Sequence, residues 1–180
     1  MGSEMCIRDR IYTHKIEVNS SSKASVELFL MQFNWQPDEI DLSTVKAWLA
    51  DWQPCVQGLD FKKAQSLFVK NTASFGTHMD VVEGIDALEG NQWRNVWPNI
   101  EEFEWDFDNI KIGVSADRLM AFLITTWTSI GFDEEANSFD RPGRTTVILS
   151  RTSKDTPWLG VHTHFSLHPG TPYRTFGKNN

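Results

Sequence analysis

Apolar residues between positions 41 and 57 recur with the period of a helix. The stripe has spacings of three and four and is formed by Leu42, Val45, Leu49, Trp52 and Val56. Asp41 lies just before the stripe and is the expected N-cap, because its short carboxylate can accept a hydrogen bond from the first turn. Pro54 is expected to kink or shorten this helix, and Gly58 marks its end.

Two more helices are predicted downstream. A short one starts after Asp60, and a longer one runs from about Ile85 to Trp97, where Pro98 stops it. The stretch "NTASFGTHM" between them is typical of a short strand or an extended loop. The N-terminal part of the chain is therefore predicted to be mainly helical.

The period changes to two after Pro98. The stretch "EFEWDFD" alternates strictly, the alternation slips at Asp108–Asn109, and it resumes in "IKIGV". A one-residue slip inside a long strand predicts a bulge, which bends the strand. Three further strands are predicted in "RLMAFLITTWTSIGF", "RTTVILSR" and "PWLGVHTHFSL". Three helices followed by four long antiparallel strands predict an α+β fold.

Composition narrows the possible partners. The 180 residues are 40% hydrophobic, which suits one globular domain with a substantial core. Eight Trp and twelve Phe are enough to line a core or an apolar cavity. A net charge of -7 without a basic cluster argues against nucleic acid as a partner. The longest apolar run, "LMAFLI", is far shorter than the ~20 residues that span a membrane.

The first residues of the chain are expected to be artefactual. Residues 5–10, "MCIRDR", resemble one reading frame of a transposase adapter used in sequencing libraries. Residues 11–30 are then one of two things. They are either the conceptual translation of an untranslated region, with Met31 as the natural start, or a genuine N-terminal extension. The predicted organisation is an extension at residues 1–30, a domain at 31–170 and a C-terminal tail at 171–180. Deleting the extension is expected to leave the melting temperature nearly unchanged.

Four motifs carry a resemblance to a known family. They are "AWLADW", "VVEGIDALEGNQWRNVWP", "RPGRTTVILSR" and the closing "WLGVHTHFSLHPG". From about Asp41 to Gly170 the chain resembles the SnoaL-like branch of the nuclear transport factor 2-like superfamily. The resemblance implies three N-terminal helices packed in a strongly bent, mostly antiparallel sheet that forms a cone with an interior pocket. It also implies either an enzyme, as in ketosteroid isomerase, scytalone dehydratase and polyketide cyclases, or a binding or assembly module.

The closing motif contains the pair His162 and His164. Residues i and i+2 of a strand share a face, so these side chains are about 6.5–7 Å apart. They are candidates for moving a proton, because a histidine pKa lies near neutrality. A metal ion would need further ligands, and no Glu follows Phe165, so neither a metal nor another cofactor is predicted. The sequence leaves open whether the pair faces the pocket or a second subunit.

Arg144 opens the strand before these histidines, and the resemblance implies an arginine facing the pocket there. The candidate catalytic set is Arg144, His162 and His164, and the candidate ligand-binding residues are Phe68, Trp93, Trp97, Trp127 and Thr146. The strands offer no interior carboxylate of the kind that a ketosteroid isomerase uses as a base. The sequence therefore favours a non-catalytic small-molecule-binding protein, with an isomerase, cyclase or dehydratase of a small apolar or carbonyl-bearing metabolite as the alternative.

Two expectations concern the oligomeric state and the cellular compartment of the protein. Apolar residues on both faces of the strands predict a homodimer through the open face of the sheet. Outside the artefactual segment the chain has one cysteine, Cys55, which cannot form an intramolecular disulfide and points to a reducing cytoplasm. The predicted partners are thus a small-molecule ligand and a second copy of the chain.

Overall fold

The computed structural model describes residues 34–178. The predicted extension at residues 1–30 lies outside the described residues. Within the described part, none of the helices is long and apolar enough to cross a membrane.

Three helical segments precede the main part of the sheet, as the apolar periodicity predicts. The third is broken by a π-helical turn and a closing 3-10 turn rather than being one regular helix. The elements are α1 (Glu39–Gln57), α2 (Phe61–Ser66), α3 (Ile85–Leu88), the π turn (Glu89–Trp93), α4 (Arg94–Val96) and the 3-10 turn (Trp97–Asn99). Pro54 lies inside α1, which nevertheless continues to Gln57.

The residue that caps α1 is Asp38, so the prediction of Asp41 as the N-cap was wrong. The Asp38 carboxylate accepts a hydrogen bond of 2.8 Å from the Asp41 backbone N–H. Asp41 itself is buried inside the helix, where its carboxylate pairs with Arg118 Nε at 2.6 Å and Arg151 Nη2 at 2.8 Å. Sequence alone did not separate the two acids because both precede the apolar stripe, and only the fold brings the arginines to one of them.

Within residues 34–178, eight strands form one curled, unclosed sheet. Their order is β2-β1-β8-β7-β5-β3, and β4 and β6 also pair with β5. The β1–β8 pair is parallel, and the other pairs are antiparallel. The strands are β1 (Phe68–Phe75), β2 (Val81–Glu83), β3 (Glu101–Trp105), β4 (Lys111–Val114), β5 (Met120–Phe132), β6 (Ser138–Asp140), β7 (Gly143–Ser150) and β8 (Leu159–Leu167).

The slip at Asp108–Asn109 is a turn between two strands, not a bulge inside one. β3 and β4 pair with different stretches of β5, through Trp105↔Trp127 and Lys111↔Ile124. The Asp106 carboxylate stabilises the turn by accepting hydrogen bonds from the backbone N–H groups of Asp108 and Asn109. An Asx-type turn of this kind interrupts the period without extending the strand.

The sheet has a concave face that packs on the helices and an opposite, convex face. Along β5 and β7, the residues on the concave face are buried: Leu123, Trp127, Val147 and Leu149. In β8 an irregularity shifts the register, because Leu149 pairs with Gly160 while Ile148 pairs with His162. Val161 is therefore an extra residue, and the faces of β8 exchange at this point.

Candidate functional site

An apolar pocket lies between α1, the third helical segment and the concave face of the sheet. Its cavity volume is about 40 Å³, which is small against the roughly 300–1,000 Å³ of typical small-molecule sites. The walls are largely aromatic and include Trp52, Trp93, Trp97, Phe103, Trp127 and Phe165. The pocket is thus a narrow slot, which a thin ligand fits best.

Stacked rings form one wall of the slot. The Trp93 and Trp97 rings are 4.7 Å apart and tilted by 17°, and Phe61 stacks on the outer side of Trp97 at 5.2 Å. The ring centroids of Trp52 and Trp93 are 6.4 Å apart, and the Trp52 ring packs edge to face on Phe165 with the centroids 5.6 Å apart. Because each ring is packed against another ring, the wall presents a fixed, flat apolar surface to the pocket.

The charged residue of the pocket is Arg141, which lies between β6 and β7. Only 2% of it is exposed, its Nη2 donates to Thr77 Oγ1 at 2.9 Å, and its Nε has no hydrogen-bond partner. The guanidinium carbon lies 5.5 Å from the Trp127 ring, and no described carboxylate pairs with it. Burial lowers the pKa of Arg141 to about 10, so the group still carries its charge at neutral pH.

The other unsatisfied polar atoms around the pocket are also donors. The indole N–H groups of Trp52 and Trp127 are buried and have no acceptor. By contrast, the one acceptor of the Gln92 side chain is used, because Oε1 accepts the backbone N–H groups of His78 and Met79 at 3.1 and 3.0 Å. A buried donor without an acceptor costs about 1–3 kcal/mol. The pocket therefore suits a ligand that brings acceptor oxygens.

Groups that transfer protons are absent from the pocket wall. Among the described residues that line it, there is no Asp, Glu, His, Cys, Lys or Tyr; the polar members are Thr77, Gln92, Arg141 and Thr163. Nor do any three His, Cys, Asp or Glu side chains within residues 34–178 group so as to hold a metal ion. The arrangement can bind and polarise an oxygen, but it offers no side chain of suitable pKa to act as a general base.

The structure brings together three of the residues that the sequence nominated for ligand binding. Trp93, Trp97 and Trp127 line the pocket. Phe68 lies behind the wall, with its ring 5.1 Å from Trp52. Thr146 lies on the convex face, where it pairs with His164, because the period of two places it opposite to Val147.

The nominated catalytic residues are also on the convex face. Arg144 Nε donates to Ser166 Oγ at 3.0 Å. His162 Nδ1 lies 2.7 Å from the Ala73 carbonyl oxygen, which can only accept, so this nitrogen carries the proton. The His164 ring is 5.2 Å from Phe75. None of these three described residues lines the aromatic pocket beside Trp127, so that pocket does not contain the predicted catalytic set.

Sequence reasoning missed Arg141 although a signal was present. Counting in steps of two from the buried Val147 leads through Thr145 and Gly143 to Arg141, whereas Arg144 falls on the other face. The stretch "FDRPG" lies between two predicted strands and contains turn residues, so the alternation of the following strand is not extended through it by sequence alone. Trp52 belongs to the apolar stripe of the first helix, and Phe103 and Phe165 lie in predicted strands, so the pattern indicates core, which in this fold is continuous with the pocket wall.

Comparison with known proteins supports the fold. No protein-family model and no curated protein matches the sequence. Among solved structures, a ketosteroid isomerase-like protein from Erwinia carotovora atroseptica is 12% identical, with a TM-score of 0.62 over 75% of this chain and 100% of that one. An NTF2-like superfamily protein from Salmonella enterica is 14% identical, with a TM-score of 0.60 over 73% and 94% of the two chains.

A third neighbour is Aln2 from a Streptomyces species, which is 13% identical, with a TM-score of 0.60 over 73% of this chain and 93% of that one. At these identities the likeness shows the fold alone. The protein is thus an α+β chain with the nuclear transport factor 2-like cone fold, which confirms the fold class and the resemblance that the sequence indicated.

Proposed function

We propose that this protein binds a small, thin, apolar ligand in the cone pocket and holds an anionic oxygen of that ligand at Arg141, without transferring a proton. The observation that carries the proposal is the buried guanidinium of Arg141, whose Nε has no partner and which makes no ion pair with a described carboxylate. A ligand with a carboxylate attached to a flat apolar body would satisfy both the charge and the aromatic wall.

The energetics favour an anion over a neutral ligand. A buried charge without a counter-ion is costly, so a ligand that supplies the counter-ion recovers part of that cost on binding. Hydrogen bonds between ionised partners are roughly twice as strong as neutral ones, and a guanidinium can bind a carboxylate through two of them. The unpaired indole N–H groups of Trp52 and Trp127 favour oxygen-bearing ligands in the same way.

The alternative of an isomerase, cyclase or dehydratase has less support. Such reactions need a group that accepts or donates a proton within hydrogen-bond reach of the substrate. The nominated histidines are on the convex face, and the pocket wall offers hydroxyl, amide, indole and guanidinium groups instead. Arg141 would supply electrostatic stabilisation to an enolate, which is one part of the machinery of such an enzyme.

The proposal extends to the assembly and the compartment of the protein. The convex face exposes large apolar side chains, Phe75, Met120 and Ile124, as a surface that a second copy would cover. On that basis we propose that the protein is a homodimer. The Cys55 thiol is buried and donates to the Asp51 carbonyl, and burial raises its pKa, which keeps it unreactive. A reducing cytoplasm is proposed from the lack of a disulfide among the described residues.

A thermal-shift series tests the function. Phenylacetate and benzoate are compared with the neutral phenylacetamide and benzamide on wild type, Arg141→Met and Arg144→Met. At 100 times the Kd a ligand stabilises by about 2.7 kcal/mol, which raises the melting temperature of a domain of this size by roughly 5–10 °C. The carboxylates are expected to stabilise wild type and Arg144→Met and to leave Arg141→Met unchanged. Equal stabilisation of wild type and Arg141→Met would refute the assignment.

A further inference from the structure

A polar groove lies next to the apolar pocket, on the other side of Arg141. The two spaces share Thr77, Val96 and Arg141 as lining residues. The groove has a cavity volume of about 220 Å³, against about 40 Å³ for the pocket. The remaining groove residues are His78, Asn95, Asn99, Tyr173, Arg174 and Thr175. Arg141 therefore stands at the boundary between a narrow apolar slot and a wider polar space.

The C-terminal segment builds one side of this groove. Tyr173 Oη donates to the His78 carbonyl at 3.0 Å, and Thr175 Oγ1 donates to the Asn99 carbonyl at 2.6 Å. Thr175 Oγ1 also accepts the Phe132 backbone N–H at 2.8 Å. Residues 173–175, which the sequence assigned to the tail, are therefore bonded to both sides of the cone mouth, so the groove has a defined wall.

The groove favours a negative charge. Two arginines line it, and no described Asp or Glu does, although the protein as a whole has a net charge of -7. Arg174 makes no ion pair with a described residue. Local positive potential on an acidic protein concentrates anions at that position.

The guanidinium of Arg174 is one of the free donors of the groove. The side-chain amide of Asn95 already donates to the carbonyls of Gly90 and Asn91, and that of Asn99 donates to the Asn95 carbonyl. These amides are therefore engaged within the helical segment, while the guanidinium of Arg174 remains available to an incoming group.

We infer that the ligand carries two anionic groups at one end of its apolar body, the first bound by Arg141 and the second by Arg174 in the groove. This rests on the proposed function. The chemical class is an aryl- or alkyl-substituted dicarboxylate, with the apolar body in the slot and the second carboxylate emerging past Arg141. Arg174 is a specificity residue in this arrangement, because it distinguishes dianions from monoanions that share the same apolar body.

The test compares three ligands with a common phenyl group by calorimetry. Benzylsuccinate carries two carboxylates. Its monoamide has a neutral amide of the same shape in place of the carboxylate next to the benzyl group. 4-Phenylbutanoate has the same carbon chain without that carboxylate. Because Arg174 is exposed, its contribution is expected to be about fivefold in affinity. Wild type should bind benzylsuccinate about fivefold more tightly than either monoanion, and Arg174→Ala should bind all three alike.

Two further variants separate the possible failures. Arg144→Ala, on the convex face, is the matched control and should keep the full preference for the dianion. Arg141→Met should lose binding of all three ligands. If Arg174→Ala keeps the fivefold preference, or wild type shows none, the dianion inference is overturned while monoanion binding at Arg141 stands. If Arg141→Met binds the monoanions as wild type does, or wild type binds none of the three ligands, the proposed function falls and the inference with it.

Discussion

Arg141 and Arg144 are three residues apart, yet the guanidinium of Arg141 enters the aromatic pocket and that of Arg144 leaves the opposite face of the sheet. The separation is odd, so the period of two along the strand assigns the residues to different faces. The chain thus contains a natural pair for mutagenesis, in which the same change is made to a buried, unpaired arginine and to an exposed one bonded to Ser166.

Replacing Arg141 by Met is expected to stabilise the protein in the absence of ligand. The change removes a buried charge that makes no ion pair with a described carboxylate, and it replaces the side chain by an apolar one of similar volume. The free energy of unfolding should rise by about 1 kcal/mol or more, because apolar residues of similar volume often stabilise a protein interior more than buried ions do. Denaturant unfolding measures the change, and a loss of stability would show that the hydrogen bond to Thr77 and the contact with Trp127 outweigh the cost of burying the charge.

The matching substitution Arg151→Met is expected to lower the free energy of unfolding, whereas Arg141→Met is expected to raise it. Arg151 is also buried, but its Nη2 donates to Asp41 Oδ1 at 2.8 Å. Arg151→Met would leave the Asp41 carboxylate with Arg118 alone, at an expected cost of about 3 kcal/mol. The contrast between the two variants, measured under one set of conditions, distinguishes an arginine kept for binding from an arginine kept for stability.

Acid is expected to weaken the fold through Asp41. Burial alone raises the pKa of Asp41, but hydrogen bonds and charges from Arg118 and Arg151 outweigh it, so the pKa lies below its usual 3.8. A carboxyl group with a depressed pKa stabilises the fold above its unfolded pKa, near 3.9, and loses that contribution as the pH falls through the folded value. Below about pH 4, wild type should therefore lose stability more steeply than Asp41→Asn. Parallel pH profiles of the two proteins would contradict this.

Gly143→Ala is expected to distort the pocket. A Cβ at Gly143 would lie 2.2 Å from Trp127 Cζ2 and 2.6 Å from the Ser166 carbonyl, so the Trp127 ring must move. Overpacking of this kind typically costs about 1–3 kcal/mol, and displacement of Trp127 should also weaken phenylacetate binding. Gly90→Ala is the control, because no heavy atom lies within 4 Å of the added Cβ. It should be neutral or stabilise by up to about 1 kcal/mol.

Ile124→Glu is expected to convert the proposed homodimer into a monomer. Ile124 is 42% exposed in the middle of β5 on the convex face, where a charge would be buried by a second copy. Light scattering at micromolar concentration should show a dimer for wild type and a monomer for the variant. Ile40→Glu is the control, since Ile40 is 67% exposed in the first turn of α1. If wild type itself is monomeric in this experiment, the proposed homodimer is wrong.

The sequence by itself determined the order of elements and the fold class. The apolar stripe with spacings of three and four specifies α1, and the strict alternation of "EFEWDFD" specifies β3, because one apolar face must be buried in each case. The aromatic content predicted a lined cavity, and Trp93, Trp97 and Trp127 do line the pocket. These features are local or follow from composition, so no knowledge of distant contacts was needed to predict them.

Only the tertiary structure decided which polar residues share the pocket. The extra residue at Val161 exchanges the faces of β8, and the pairing of that strand with β1 and β7 places His162 and His164 on the convex side. Asp41 became an ion-pair partner rather than a cap because the fold brings Arg118 and Arg151 to it across more than 70 residues of sequence. Arg141 lies at the pocket because the sheet curls around the helices, and a curl is a property of all the strands together, which the period of any one strand does not encode.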